Sequence, residues 1–144
     1  MAVKTVKVES KLDSKFKIES DIRGHAITAD QPAAAGGGDA GPTPLEYLFV
    51  SLAGCIGAIG RIVAMQKRIE LRGMTVSVEG DLNVDGLLGK PTDDPVDFTE
   101  IRVAVDVDAD MSAEEKAAFI HEVDARCPVS QNLLNTSSIK VSVV

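Results

Sequence analysis

The chain has 144 residues, enough for one domain, and 44% of them are hydrophobic, which excludes a disordered protein. A net charge of −7 with dispersed basic residues excludes a phosphate-backbone partner, and four Phe, one Tyr and no Trp leave little surface for base stacking. We therefore predict a single domain over residues 1–144 with no nucleic-acid partner.

The first thirty residues predict three short strands. Apolar and polar residues alternate at residues 3–8, 15–20 and 25–29, with turn-like residues at 12–14 and 22–24. Strands joined by such short turns pair with their neighbours, so an antiparallel meander is expected.

A glycine-rich loop at residues 31–42 separates the meander from a long helix. From Pro44 to about Glu70, apolar residues recur at spacings of three and four, and Thr43 with Glu46 forms a capping-box pattern at the start. Several interior glycines lower the helix propensity, by about 1 kcal/mol each. Their presence predicts that other parts of the protein pack close to the helix backbone.

The same signals predict the rest of the chain, including a second capping box at Ser112 and Glu115. The elements are strands at residues 74–84 and 98–107, helices at residues 113–126 and 128–134, and a final strand at residues 138–144. The prediction is an α+β domain of β-β-β-α-β-β-α-α-β order.

The sequence also indicates where the protein resides. The first residues lack the apolar segment of a signal peptide, and Glu46 and Arg61 interrupt the longest apolar stretch before it reaches the length of a membrane span. We expect a cytoplasmic protein that does not insert into a membrane. In that compartment a disulfide that forms is usually catalytic or redox-sensing.

The two cysteines stand in different settings. Cys55 shares a face of the long helix with Leu52 and Ile59, so it is either a reactive thiol or a small buried hydrophobe. Cys127 precedes Pro128 at a helix start, where free N–H groups and the helix dipole favour a thiolate. On this basis Cys127 is the more acidic thiol, although it could also be an ordinary helix-start residue.

Three stretches of the sequence form a specific combination. They are the segment GGGDAGPTPLEYLFVSLAGC, the Gly/Ala-rich helix that continues it and the ending RCPVSQNLLN…IKVSVV. In these stretches, and in the order of its elements, the chain resembles the OsmC/Ohr superfamily of thiol-dependent hydroperoxide reductases. The Gly-Pro-x-Pro-x-Glu lead into the helix is similar to the OsmC-like branch of that superfamily.

The resemblance implies an OsmC-like fold, an antiparallel sheet around a long central helix in an intertwined homodimer, with active sites at the subunit interface. It implies that Cys55 is the peroxidatic thiol, oxidised to a sulfenic acid by an organic hydroperoxide, and that Cys127 is the resolving thiol. It further implies a dithiol reductant, such as a lipoyl-bearing protein, and no metal or organic cofactor.

Two further site residues come from the resemblance. Ohr-like members have an Arg in the N-terminal sheet that lowers the pKa of the reactive thiol, held by a Glu near the start of the long helix. Arg23 is the best match for that Arg. Glu46 lies nine residues before Cys55 rather than ten, which puts it on the opposite helix face. Glu46 therefore either replaces the family Glu or only caps its helix.

Other functions remain open at this point. The missing Ohr-type Glu favours a non-enzymatic protein that binds a small apolar ligand at the dimer interface. A redox sensor is a weaker alternative, because no helix has the basic face of a DNA reader. A zinc site made of both cysteines with His25 and His121 lacks any short ligand spacing.

Overall fold

The computed structural model describes residues 1–135 and 137–144, and the chain divides into two compact units, Met1–Leu48 and Phe49–Val144. The first unit contains an antiparallel three-stranded meander in the order β1-β2-β3. Its strands are β1 (Glu9–Leu12), β2 (Ile18–Ile22) and β3 (His25–Ala29). The meander predicted from the alternation is therefore confirmed.

The first predicted strand is wrong in its position. The strand lies at β1 and not at residues 3–8, whose side chains are exposed, including Val3 and Val6. Alternation shows which side chains share a face, but a strand forms only where an edge is available for pairing. In this chain the edge of β2 pairs with residues 9–12.

The glycine-rich loop between β3 and the long helix is organised by Asp30. This carboxylate is almost completely buried, and it accepts hydrogen bonds from the backbone N–H groups of Gln31 at 2.8 Å, Gly38 at 3.1 Å and Ala40 at 3.1 Å. These bonds hold the pKa of Asp30 below its ordinary value, and the bond from Ala40 has the largest effect. The loop is thus a folded turn around one carboxylate.

Acid is expected to loosen this loop. Because the folded-state pKa of Asp30 lies below its unfolded value of about 3.9, its contribution to stability is present above that pH and is lost as the pH falls through the folded pKa. Hydrogen-exchange protection factors of the Gly38 and Ala40 amides should fall between about pH 5 and pH 2.

The Asp30→Asn variant should show low protection of these two amides at every pH, because an amide side chain accepts weaker hydrogen bonds than a carboxylate. Asp39→Asn in the same exposed loop is the matched control, and it should behave as the wild type. Equal protection at pH 3 and pH 6 in the wild type would contradict this account.

The long helix, α1 (Pro44–Lys67), begins with the predicted capping box. The backbone N–H and the hydroxyl of Thr43 donate to Glu46 Oε2 at 2.6 and 3.0 Å, and the backbone N–H of Glu46 donates to Thr43 Oγ1 at 3.3 Å. The helix ends where Arg68 takes the left-handed conformation, with φ of 56°. By length and composition alone α1 could cross a membrane, but five of its residues are buried in the protein.

The second unit joins an antiparallel strand pair to two helices. Its elements are β4 (Gly73–Asp81), β5 (Glu100–Asp108), α2 (Ala113–Arg126) and α3 (Pro128–Leu134). The capping box predicted at Ser112 and Glu115 is present. Its buried apolar core includes Leu52, Ile56, Val63, Val107, Phe119 and Val123.

The interior glycines of α1 are in two different environments. At Gly60 a Cβ atom would lie 2.5 Å from the sulfur of Met74, so the expected close approach to the helix backbone is confirmed there. At Gly54 and Gly57 no atom of residues 1–135 and 137–144 lies within 4 Å of the position of a Cβ atom. Within one chain, therefore, only part of this glycine pattern is explained by packing.

The last predicted strand is not formed. Residues 137–144 are not part of a strand, and Ile139, Val141 and Val143 are almost fully exposed. The fold class is nevertheless confirmed, since the described residues form an α+β structure with antiparallel sheets and a long helix.

Candidate active site

The fold of the second unit brings together two thiols that are far apart in sequence. Cys55 lies in the middle of α1, half-buried and packed against the core, and Cys127 lies at the junction of α2 and α3 with no exposed surface. Both are free, and Cys55 is close enough to Cys127 to raise the pKa of its thiol. The two thiols therefore pack in the same apolar core.

Cys127 ends one helix and begins the next. Its backbone N–H donates to the carbonyl of Asp124 at 3.1 Å, which closes α2, and its sulfur accepts a hydrogen bond from the backbone N–H of Ser130 at 3.4 Å, which caps α3. Pro128 occupies the first turn of α3, where a missing N–H costs nothing. The predicted helix-start position of Cys127 is confirmed.

The predicted acidity of Cys127 is wrong. Burial raises the pKa of its thiol above the ordinary value, and the neighbouring Cys55 raises it further, whereas the N–H groups of Ser130 and Val129 lower it less. The helix start does stabilise the thiolate, but desolvation outweighs it. The sequence identified the helix start and could not show the burial.

A group of side-chain hydrogen bonds beside Cys127 was not predicted from the sequence. The hydroxyl of Ser130, a buried residue, donates to Asp124 Oδ1 at 2.6 Å, and the side-chain amide of Gln131 donates to the carbonyl of Asp124 at 3.3 Å. The signal in the sequence is a Ser three residues after the Cys of a helix-start Cys-Pro pair, where its backbone N–H meets the capping side chain.

An open groove of about 760 Å³ runs beside the Ser130–Asp124 pair. Most of its lining is aliphatic and comes from α1, β5, α2 and α3. The aliphatic residues include Leu52, Ile56, Ile101, Val103, Val105 and Leu133, and the polar ones include His121, Asp124 and Ser130. Such a surface suits an apolar ligand with one polar end.

The other two predicted site residues are Arg23 and Glu46. Arg23 is exposed in the first unit, at the β2–β3 hairpin turn, where it and Gly24 both have positive φ angles, as a type I′ turn requires. Glu46 is exposed, and its carboxylate is engaged in the helix cap with Thr43, which also holds its pKa below the ordinary value. Glu46 therefore caps the start of α1.

The histidines do not suggest a metal centre. His25 begins β3 in the first unit, and His121 lies on α2 in the second unit. Within residues 1–135 and 137–144, no group of three or more His, Cys, Asp or Glu side chains is arranged to hold a metal ion.

The chain is similar in sequence to a known protein family and to named proteins. The model of the family described as OsmC-like protein matches residues 36–143. A hydroperoxide reductase from Mycoplasma pneumoniae is 29% identical over 100 residues, which cover 69% of this chain and 67% of that protein.

Solved structures agree with this comparison. An OsmC-like protein from Mycoplasma pneumoniae superposes with a TM-score of 0.80 at 25% identity, covering 92% of this chain and 89% of that one. An organic hydroperoxide resistance protein from Legionella pneumophila superposes with a TM-score of 0.66 at 19% identity, covering 92% of this chain and 91% of that one, and shows the shared fold.

Proposed function

The chain belongs to the OsmC-like protein family, and from this premise we propose that it is a thiol-dependent peroxidase that reduces organic hydroperoxides. Relatives named hydroperoxide reductase support a peroxidase-type function at the level of the family. The observation that carries the proposal for this chain is the meeting of Cys55 and Cys127 in one place.

The two thiols have different roles in the proposed cycle. Cys55 is the partly exposed thiol, so a hydroperoxide reaches its sulfur first. The Cys55 thiolate attacks the terminal oxygen of ROOH, the O–O bond breaks, and the leaving alkoxide takes a proton to become an alcohol. Cys55 is then a sulfenic acid.

Cys127 completes the cycle. Because burial and the adjacent Cys55 raise its pKa, the Cys127 thiol stays protonated while the Cys55 sulfur reacts. Its sulfur then attacks the sulfenic sulfur to give a Cys55–Cys127 disulfide and water. A dithiol reductant, of which a lipoyl group is one example, restores both thiols by exchange.

The proposal also includes a role for Arg23, a substrate class and a cellular compartment. Arg23 is exposed at a hairpin turn and has no ion pair among the described residues. We assign to it the stabilisation of the Cys55 thiolate in the assembled protein. The apolar core against which Cys55 packs favours alkyl or fatty-acid hydroperoxides over hydrogen peroxide. The protein would act in the cytoplasm.

The functional form in this proposal is a homodimer. A stripe along α1 is exposed and consists of apolar or small residues: Val50, Gly54, Ala58, Ile62 and Met65. The alternating segments at residues 3–8 and 137–144 are exposed as well. A second copy of the chain would bury these surfaces, as an intertwined dimer requires.

One experiment tests the chemistry directly. The reduced protein is mixed with one equivalent of cumene hydroperoxide and its intact mass is measured. We expect a loss of two hydrogens per chain, from one internal disulfide, and turnover when dihydrolipoamide is added. An unchanged mass would contradict the peroxidase and favour a second candidate.

The second candidate is a non-enzymatic protein that binds a small apolar ligand. The observation in its favour is the groove of about 760 Å³ with its aliphatic lining. In that case the groove would retain an apolar probe while both thiols stay reduced in the presence of the peroxide.

A further inference from the structure

The turn that carries Cys127 is tied together by one residue, Asp124. Its carbonyl accepts hydrogen bonds from the backbone N–H of Cys127 at 3.1 Å and from the side chain of Gln131 at 3.3 Å. Its carboxylate accepts the hydroxyl hydrogen of Ser130 at 2.6 Å. Asp124 thus contacts the thiol-bearing residue itself and the next helix at two positions.

Ser130 connects this carboxylate to the sulfur. The residue is only 8% exposed, and while its hydroxyl is bound to Asp124, its backbone N–H donates to Cys127 Sγ at 3.4 Å. A short hydrogen bond to a carboxylate is stronger than one between neutral groups. The Asp124–Ser130 bond therefore fixes the backbone donor that points at the sulfur.

We propose that Asp124 is a positioning residue for disulfide formation, acting through Ser130 to hold Cys127 Sγ beside Cys55 until the sulfenic acid has been resolved. This inference rests on the proposed peroxidase function and adds to it a residue that positions the resolving thiol. This role explains why the turn between α2 and α3 contains a hydrogen-bonded carboxylate and hydroxyl.

The step that Asp124 supports is balanced without any other reactant. The Cys127 sulfur attacks the Cys55 sulfur, an S–S bond forms, and the S–O bond of the sulfenic acid breaks. Cys127 is oxidised and the Cys55 sulfenic acid is reduced. The hydroxyl group leaves with the proton of the Cys127 thiol as water.

Failure of this step has a chemical signature. A sulfenic acid that is not resolved reacts with a second hydroperoxide, which inserts another oxygen and leaves as the alcohol, so that Cys55 becomes a sulfinic acid. A poorly positioned Cys127 therefore increases sulfinic acid at the expense of disulfide, whereas a general loss of folded protein lowers both products together.

The experiment compares Asp124→Ala, Ser130→Ala and the near-isosteric Asp124→Asn with the wild type. Reduced protein is mixed with cumene hydroperoxide, quenched at intervals with dimedone, and the products at Cys55 and Cys127 are quantified by mass spectrometry. Glu114→Gln, a charge change on an exposed position of the same helix α2, is the matched control.

Because Asp124 and Ser130 also line the groove, the rate of Cys55 oxidation is measured in each variant, and disulfide formation is compared with that rate. Disulfide formation should be about tenfold slower in Asp124→Ala and Ser130→Ala, with a matching rise in sulfinic acid at excess peroxide. Asp124→Asn, which keeps an acceptor oxygen, should lie between them and the wild type. The double variant Asp124→Ala/Ser130→Ala should be no slower than either single variant, because both remove one interaction.

Disulfide formation at the wild-type rate in Asp124→Ala and Ser130→Ala would overturn the positioning role while leaving the peroxidase function intact. The wild type separates the two proposals: if its Cys55 is not oxidised at all, the peroxidase function fails and the positioning role fails with it. If Asp124→Ala does not fold, Asp124→Asn and Ser130→Ala decide the question by the same ratio of sulfinic acid to disulfide.

Discussion

Replacing Cys55 with Ser is expected to lower hydroperoxide turnover by more than about 1,000-fold, which corresponds to about 4 kcal/mol of lost transition-state stabilisation. A serine hydroxyl stays protonated at neutral pH and is a far weaker nucleophile than a thiolate. The measurement is steady-state consumption of cumene hydroperoxide with dihydrolipoamide as the reductant. The half-buried position of Cys55 accepts the smaller oxygen atom without overpacking.

Cys127→Ser is the matched control for this prediction. Serine is a good N-cap residue, so the start of α3 should be retained. This variant should still consume the first equivalent of peroxide and then stop at the sulfenic or sulfinic acid of Cys55, because no second thiol is available for the disulfide. Turnover that persists in Cys55→Ser, or a first equivalent that is lost in Cys127→Ser, would contradict the assigned roles.

The elements predicted correctly are those whose signals are local. Thr43 with Glu46 and Ser112 with Glu115 each place a hydroxyl and a carboxylate three residues apart, and both pairs form capping boxes in the structure. The spacing of apolar residues in α1 likewise requires no knowledge of distant residues. Such features depend on a few neighbouring residues, so the sequence contains them fully.

The terminal segments show where local signals fail. Residues 3–8 and 138–144 alternate as strands do, yet neither forms a strand in the chain. Strand pairing depends on an edge supplied by another segment, and alternation does not identify that segment. The predicted homodimer would supply such edges, and for that reason these segments belong to the proposal and not to the fold of one chain.

The site combines both situations. The resemblance singled out Cys55 and Cys127, and the structure brings the two thiols together. The predicted direction of the shift in the Cys127 pKa was wrong, because burial outweighs the effect of the helix start and the sequence does not reveal burial. The role of Asp124 was missed because its partner Ser130 lies across a helix junction whose geometry forms only with the tertiary structure.

Gly54→Leu is expected to weaken the homodimer by about 100-fold or more in dissociation constant. Among the described residues of one chain, no atom lies within 4 Å of the position of a Cβ atom at Gly54, so Leu has room there and also raises the helix propensity of α1. In a symmetric dimer the stripe of α1 meets its own copy or another close surface, and each substitution is present twice. Overpacking of about 1–3 kcal/mol per site accounts for the expected loss.

The mass in solution, measured by sedimentation or light scattering over a range of concentrations, gives the dimer dissociation constant. Ala118→Leu, an exposed position on α2 outside the stripe, is the control and should leave the dimer unchanged. Because Gly54 precedes Cys55, the monomeric form of Gly54→Leu also reveals whether the thiol needs the second copy. If the site is completed at the interface, peroxidase activity should fall in proportion to the dimer fraction and return at high protein concentration. A dimer of wild-type affinity in Gly54→Leu would instead place the interface away from this face of α1.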